Sequence, residues 1–191
     1  MRRTFGFVVL ACVTLAYSPS ASESTAADGD KEKSKGVVVN LDDVKSTTPG
    51  DWKEEKPSGT LRWMQFRLPK KGADKDDAEL VIFKGLGGDS KANIARWKGQ
   101  FTPPEGKKIE DVVDVKEIKI GGRPAIYLDV QGTFTPPPFT ARGKPEKKPN
   151  YRMLALHFEG PRDVYHIKLT GPAKTVEAYK KGFEGWLKNF K

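Results

Sequence analysis

The chain has 191 residues, 34 Lys and Arg against 25 Asp and Glu, a formal net charge of +9, two histidines and one cysteine. A single cysteine excludes a disulfide framework and a Cys-ligated zinc ribbon, while the basic balance suits anionic partners. About 155 residues from Val37 onward are enough for one domain that buries roughly two thirds of its surface without cross-links.

Arg2 and Arg3 precede an apolar run, Phe5 to Tyr17, which is too short to span a bilayer. A polar stretch rich in Ser and Ala follows, completing the three parts of a cleavable secretory leader over residues 1–22, with cleavage expected between 18 and 27. Cys12 lies inside this leader, so a cut downstream leaves a thiol-free mature chain. The alternative is a lipobox, Val9-Leu10-Ala11-Cys12, in which lipidated Cys12 holds the protein on a membrane face. Arg2-Arg3-Thr4-Phe5 also resembles a twin-arginine start. Residues 23–36 read as a flexible polar tether, because the mixed charges of DGDKEKSK cannot be buried. Residues 37–191 form the expected globular domain.

The first predicted strand is Leu61 to Leu68, stopped by Pro69. Leu80-Val81-Ile82-Phe83 is a continuous apolar run, as expected of a strand covered on both sides. Gly85-Leu86-Gly87-Gly88 breaks it, and Asp89 or Ser90 caps a helix with Ile94, Trp97 and Phe101 on one side, ended by Pro103-Pro104. Gly121-Gly122 supplies positive φ at both central positions of a type I′ hairpin turn. That register sets Val115 opposite Leu128 and Val113 opposite Val130, with Val113, Val115, Ile126, Leu128 and Val130 on one face. The Pro-rich loop Thr135 to Asn150 is exposed and basic. A second hairpin, Tyr151 to Glu159 and Val164 to Thr170, turns at Pro161-Arg162 and aligns Leu154, Leu156, Phe158, Tyr165, Ile167 and Leu169 toward a core. Pro172 begins a final helix with Val176, Tyr179, Phe183, Trp186, Leu187 and Phe190 at helical spacing. Together these elements give an α+β layered sandwich, a mainly antiparallel sheet with two amphipathic helices.

The segments Asn93-Ile94-Ala95-Arg96-Trp97-Lys98-Gly99-Gln100-Phe101, Tyr151-Arg152-Met153-Leu154 and Lys168-Leu169-Thr170-Gly171-Pro172-Ala173-Lys174-Thr175-Val176 resemble those of a family of uncharacterised exported bacterial proteins, across most of residues 60–190. That resemblance implies no activity. The element order is also similar to the PsbP-like sandwich, whose best-known members are non-catalytic accessory proteins on the luminal side of photosynthetic membranes, which implies a binding role.

Four local sites carry candidate chemistry. The second hairpin sets His157 against His166, with Glu159 nearby, so two imidazoles and a carboxylate can hold a transition metal; the commoner fate is a structural pair under a helix. Gly85 to Lys91 lies between strand and helix, where free N–H groups suit an anion, but Asp89 stands where a P-loop needs lysine and a plain tight turn is the simpler reading. Asn93, Arg96 and Gln100 share a helix face and can present polar groups to a ligand, with Trp97 as a wall, or else Trp97 anchors the helix and Arg96 bonds a neighbouring carboxylate. The loop cations Arg142, Lys144, Lys147 and Lys148, with adjoining Arg152, can grip an anionic polymer or lipid headgroups, with Phe134, Phe139 and Tyr151 near enough to stack.

No Gly-x-Ser-x-Gly elbow, His-Glu-x-x-His helix, dinucleotide fingerprint or EF-hand loop occurs, and no catalytic residues are assigned. The expected function is an exported, periplasmic or secreted, non-catalytic binding module. Its partner is an unidentified envelope protein or an anionic polymer, with a membrane contact only through lipidated Cys12. Export argues against nucleic acid. No cofactor is expected apart from a transition metal on His157 and His166, in which case the chain is a metal carrier or a hydrolase.

Overall fold

The computed structural model describes residues 35–137 and 145–191; the leader with Cys12, the tether up to residue 34, and Phe139, Arg142 and Lys144 lie outside them. The described residues belong to one compact unit, Lys33–Lys191. In chain order they form β1 (Val38–Leu41), β2 (Val44–Thr47), β3 (Lys53–Glu55), β4 (Met64–Leu68), β5 (Ala78–Lys84), α1 (Ser90–Lys98), β6 (Phe101–Thr102), a 3-10 turn (Ile109–Val112), β7 (Val113–Ile120), β8 (Arg123–Phe134), β9 (Lys148–Glu159), β10 (Val164–Pro172) and α2 (Ala173–Lys188). β1 and β2 are a separate hairpin; the rest make an eight-stranded sheet in the order β3-β4-β5-β10-β9-β8-β6, with β7 also on β8. Every pairing is antiparallel. The α+β sandwich expected from the sequence is the architecture found.

Alternation along the strands assigns the two faces. On β9 and β10, Leu154, Leu156, Phe158, Tyr165, Ile167 and Leu169 point to one side, where Val176, Tyr179, Phe183, Trp186 and Leu187 of α2 meet them. Leu80 and Ile82 of β5, Phe66 and Leu68 of β4, and Val39 and Leu41 of the β1–β2 hairpin complete this main core. Trp52 stands edge-on to Trp186 at 5.4 Å and to Phe66 at 6.4 Å, closing the layer between hairpin and helix. The opposite side carries a smaller cluster, in which Trp97 of α1 and Phe101 pack on Leu128, Val130, Phe134, Tyr151, Met153 and Ala155.

Both hairpin registers are those expected. Val115 pairs Leu128 and Val113 pairs Val130, His157 pairs His166, and Gly121 and Gly122 take φ of 54° and 83°. Several expectations need correction. β4 starts at Met64, not Leu61, because Leu61 is exposed and the chain joins the sheet only where the Trp63 N–H reaches the Ile82 carbonyl. Helix α1 ends at Lys98, before Pro103-Pro104: Gly99 donates to the Ala95 carbonyl, and Phe101 leaves the helix to pair with Phe134. The first hairpin's larger core lies on the other face, through Ile118, Ile120, Ala125 and Tyr127, leaving Val115 exposed. Pro172 still pairs with Tyr151 as the end of β10, and α2 begins one residue later. The β1–β2 hairpin and β3 have no counterpart in the sequence reading.

Candidate functional site

α2 spans 16 residues and closes its face of the sheet, whereas α1 has nine and sits toward β8 and β9. Over β5 and β10 this leaves a cleft of about 970 Å³. Its floor is read from the register: Lys168 of β10 lies beside Val81 of β5, with Phe83 next to His166 on one side and Glu79 next to Thr170 on the other. α1 supplies Arg96, Trp97 and Gln100 as one wall. Arg62 stands opposite, Leu86 and Gly87 close one end, and Pro136, Pro137, Lys148 and Tyr151 line the Pro-rich end.

The charges in the cleft do not balance locally. Glu79 is held by Arg62 at 2.6 Å, Asp77 by Arg67 at 3.1 Å, and Asp76 by the Tyr151 hydroxyl at 2.7 Å with Lys148 at 3.9 Å. Lys168 has no carboxylate among the described residues; its ammonium comes no nearer to a polar group than 3.5 Å, at Gln100 Oε1. Half-buried and facing Arg96 and Arg62, it has its pKa pulled down to about 8, burial being the larger cause and the like charges adding to it, with Glu79 opposing. Arg96 is likewise without a carboxylate and donates to Asn93 Oδ1.

Of the helix residues singled out by sequence, Arg96, Trp97 and Gln100 line the cleft together. Asn93 does not: its amide is buried and bonds the Gly88 and Asp89 carbonyls at 2.9 Å each, fastening the glycine loop to α1. Asp89 caps the helix through the Ala92 N–H, so the loop's polar groups serve the turn. The basic residues divide. Lys148 lines the cleft and Lys147 is exposed, while Arg152 points to the α2 side, where Asp129 holds it at 2.6 Å and Lys180 joins at 2.8 Å. Burial opposes ionisation of Asp129, yet hydrogen bonds from Arg152 and Lys180 hold its carboxyl below the usual range. Arg152 is thus committed to an internal network.

His157 and His166 meet as the register requires, His166 Nε2 lying 3.1 Å from His157 Nδ1, and His157 Nε2 lying 3.0 Å from Glu159 Oε1. Both nitrogens of His157 are therefore engaged, and a metal binding either one would have to displace the hydrogen bond made there. Among the described residues no group of three His, Cys, Asp or Glu is arranged to hold an ion. His166 lines the cleft edge-on to Trp97, ring centroids 5.4 Å apart, and burial with neighbouring His157, Arg96 and Lys168 takes its pKa down to about 4. Sequence reasoning missed Arg62 and Lys168. The signal for Lys168 was present: on β10 the apolar positions are Tyr165, Ile167 and Leu169, so the intervening His166, Lys168 and Thr170 form a polar row on the other face of a central strand.

Fold and cleft define a class: an α+β sandwich closed on one face and open to a ligand-sized cleft on the other. No family model matches the chain, and no curated protein does. Among solved structures it is similar to PA94, a protein of unknown function from Pseudomonas aeruginosa, at 17% identity over 78% of this chain and 92% of that one, TM-score 0.41. It is also similar to LpqN of Mycobacterium tuberculosis, involved in cell envelope biogenesis, at 11% identity over 86% of each chain, TM-score 0.43. A third is CyanoP, the cyanobacterial PsbP of Synechocystis sp. PCC 6803, at 10% identity over 89% of this chain and 99% of that one, TM-score 0.47.

Proposed function

We propose that the chain is an exported, non-catalytic binding module of the cell envelope that holds an anionic ligand in the cleft between α1 and β5–β10. One observation carries the reading: among the described residues Lys168 keeps a half-buried ammonium on the cleft floor without a carboxylate, beside Arg96 in the same condition. An unpaired cation withdrawn from water is costly, and an incoming anionic group offsets that cost while gaining charge-assisted hydrogen bonds. The apolar side chains of Val81, Phe83, Leu86 and Trp97 line the cleft around the charge. Lys148 adds a further cation to the lining of the same cleft.

Trp97, edge-on to His166, gives an optical signal at the site. Titrating the mature protein with a panel of anions (phosphate, cyclohexanecarboxylate and galacturonate) is expected to give a saturable fluorescence change that weakens as ionic strength rises. Lys168→Met is expected to weaken binding at least tenfold. No saturable change with any of the three, or equal affinities for parent and variant, ends this reading.

A further inference from the structure

The following inference rests on the cleft as the ligand site and concerns what the ligand carries besides charge. Glu159, His157 and His166 form one hydrogen-bonded chain from an exposed carboxylate to the cleft floor. A carboxylate only accepts, so the ring nitrogen facing it, His157 Nε2, holds the proton. In the neutral His157 ring, the state on which this inference rests, Nδ1 is bare and accepts from His166 Nε2–H. The direction of the chain thereby fixes the remaining atom: Nδ1 of His166 is an unprotonated acceptor, and it has no hydrogen-bond partner among the described residues. The charged groups around this ring are Arg96 from α1, Lys168 on its own strand and Glu159 through His157. His157, Arg96 and Lys168 all oppose protonating it.

The floor therefore shows cationic donors, Lys168 and Arg96, next to one bare acceptor. We propose that the ligand is a hydroxy acid, sugar acids included, whose carboxylate meets Lys168 and Arg96 while a hydroxyl donates to His166 Nδ1. A plain carboxylate satisfies the cations but leaves the imidazole nitrogen facing the cleft without a donor from the ligand, and a site built for a hydroxyl discriminates against the analogue without one. An ammonium in place of the hydroxyl is repelled by Arg96 and Lys168, which excludes amino acids.

The test compares two monoanions on a six-membered ring, galacturonate and cyclohexanecarboxylate, by titration of the full mature protein and of Glu159→Gln and His157→Phe. Glu159 is exposed, so its substitution does not threaten folding. Galacturonate is expected to bind at least tenfold more tightly to the parent, and the preference to fall below about threefold in both variants while cyclohexanecarboxylate affinity holds. Imidazole nitrogen NMR of the parent is expected to show His166 protonated at Nε2 and bare at Nδ1. Equal affinities for the two acids, or failure of both while phosphate binds, overturn this inference and leave the anion site standing; failure of both acids and of phosphate removes the anion site and this inference with it. A preference that survives in both variants, or a proton on His166 Nδ1, overturns the role given to the histidine chain. A trimer of galacturonate that binds more tightly than the monomer assigns the ligand to a polymer, and equal affinity assigns it to the free acid; either supports the class.

Discussion

Lys168 is the residue whose chemistry and cost are most sharply opposed. Its pKa of about 8 lies below that of an exposed lysine, so the charged form is disfavoured in the folded state. The unfolded chain binds more protons between pH 8 and the ordinary lysine value, and stability contributed through this group rises with pH across that window. Ligand binding runs the other way: an anion favours the protonated amine, and affinity is expected to fall as pH climbs through 8. Isothermal titration with galacturonate at pH 7 and pH 9 checks this, a drop of several-fold in the parent and little change in Lys168→Met being the expected pair.

Asp42 acts at the same scale in a structural role. It adopts φ of 60° in the β1–β2 turn, and its carboxylate accepts from the Arg162 N–H at 2.9 Å, the Asp163 N–H at 3.1 Å and the Tyr165 hydroxyl at 2.8 Å. Burial opposes ionisation, but the hydrogen bonds, led by that from Arg162, hold its pKa below the usual carboxylate value. A carboxyl depressed in the folded state contributes stability that is present above its unfolded value and lost as pH falls through the folded one. Asp42→Asn is expected to lower the unfolding free energy by about 1–3 kcal/mol at pH 7, and the gap to the parent is expected to narrow below pH 4 in denaturant melts.

Among the elements, legibility in the sequence followed how many independent constraints met at each one. The Gly121-Gly122 hairpin combined a turn demanding positive φ with alternation on both arms, which left a single register. The β9–β10 hairpin was fixed by six apolar residues that must share a face. β1 and β2 have four residues each, bury only alternate side chains, and turn at Asp42-Asp43 without glycine, so neither periodicity nor turn chemistry marked them. Their burial depends on partners more than 100 residues away, such as Trp186, whose carbonyl accepts from Ser46 Oγ. The cleft was half legible for a related reason: helical spacing grouped Arg96, Trp97 and Gln100, but only strand order brings Lys168 and Arg62 opposite them. Gly121 carries an element-scale prediction. A Cβ there would approach Val44 Cγ1 to 2.4 Å in addition to the positive φ, so Gly121→Ala strains both the turn and the packing of the β1–β2 hairpin. A loss of about 1–3 kcal/mol in chemical denaturation is expected, with no change in anion affinity because the turn is remote from the cleft lining.

For the molecule as a whole, the unequal covering of the sheet separates stability from binding. α2 and the β1–β2 hairpin close one face with an aromatic core in which Phe183 stacks on Trp52 at 6.4 Å and lies 6.0 Å from Trp186. α1 closes only part of the other, and the remaining polar row is where burial was forgone to leave Lys168 and Arg96 uncompensated. Binding sites kept at a stability cost have a recognisable signature: removing the offending group strengthens the fold and abolishes function. Phe183→Ala is therefore expected to lower the unfolding free energy by about 3–5 kcal/mol and to leave the anion affinity of the remaining folded fraction unchanged. Lys168→Met is expected to do the reverse, raising stability by about 1–2 kcal/mol at pH 7 while removing tenfold or more of the affinity. The gain in stability is expected to shrink as pH rises above 8 and to vanish only above the ordinary lysine value, where the lysine is neutral in the folded and unfolded chains alike. Comparing parent and variant at each pH cancels the buried tyrosines Tyr127, Tyr151 and Tyr165, whose hydroxyls burial holds un-ionised well above the ordinary range. If Lys168→Met is less stable than the parent at pH 7, the ammonium already has a compensating partner in the fold and the cleft has no unmet charge to offer a ligand.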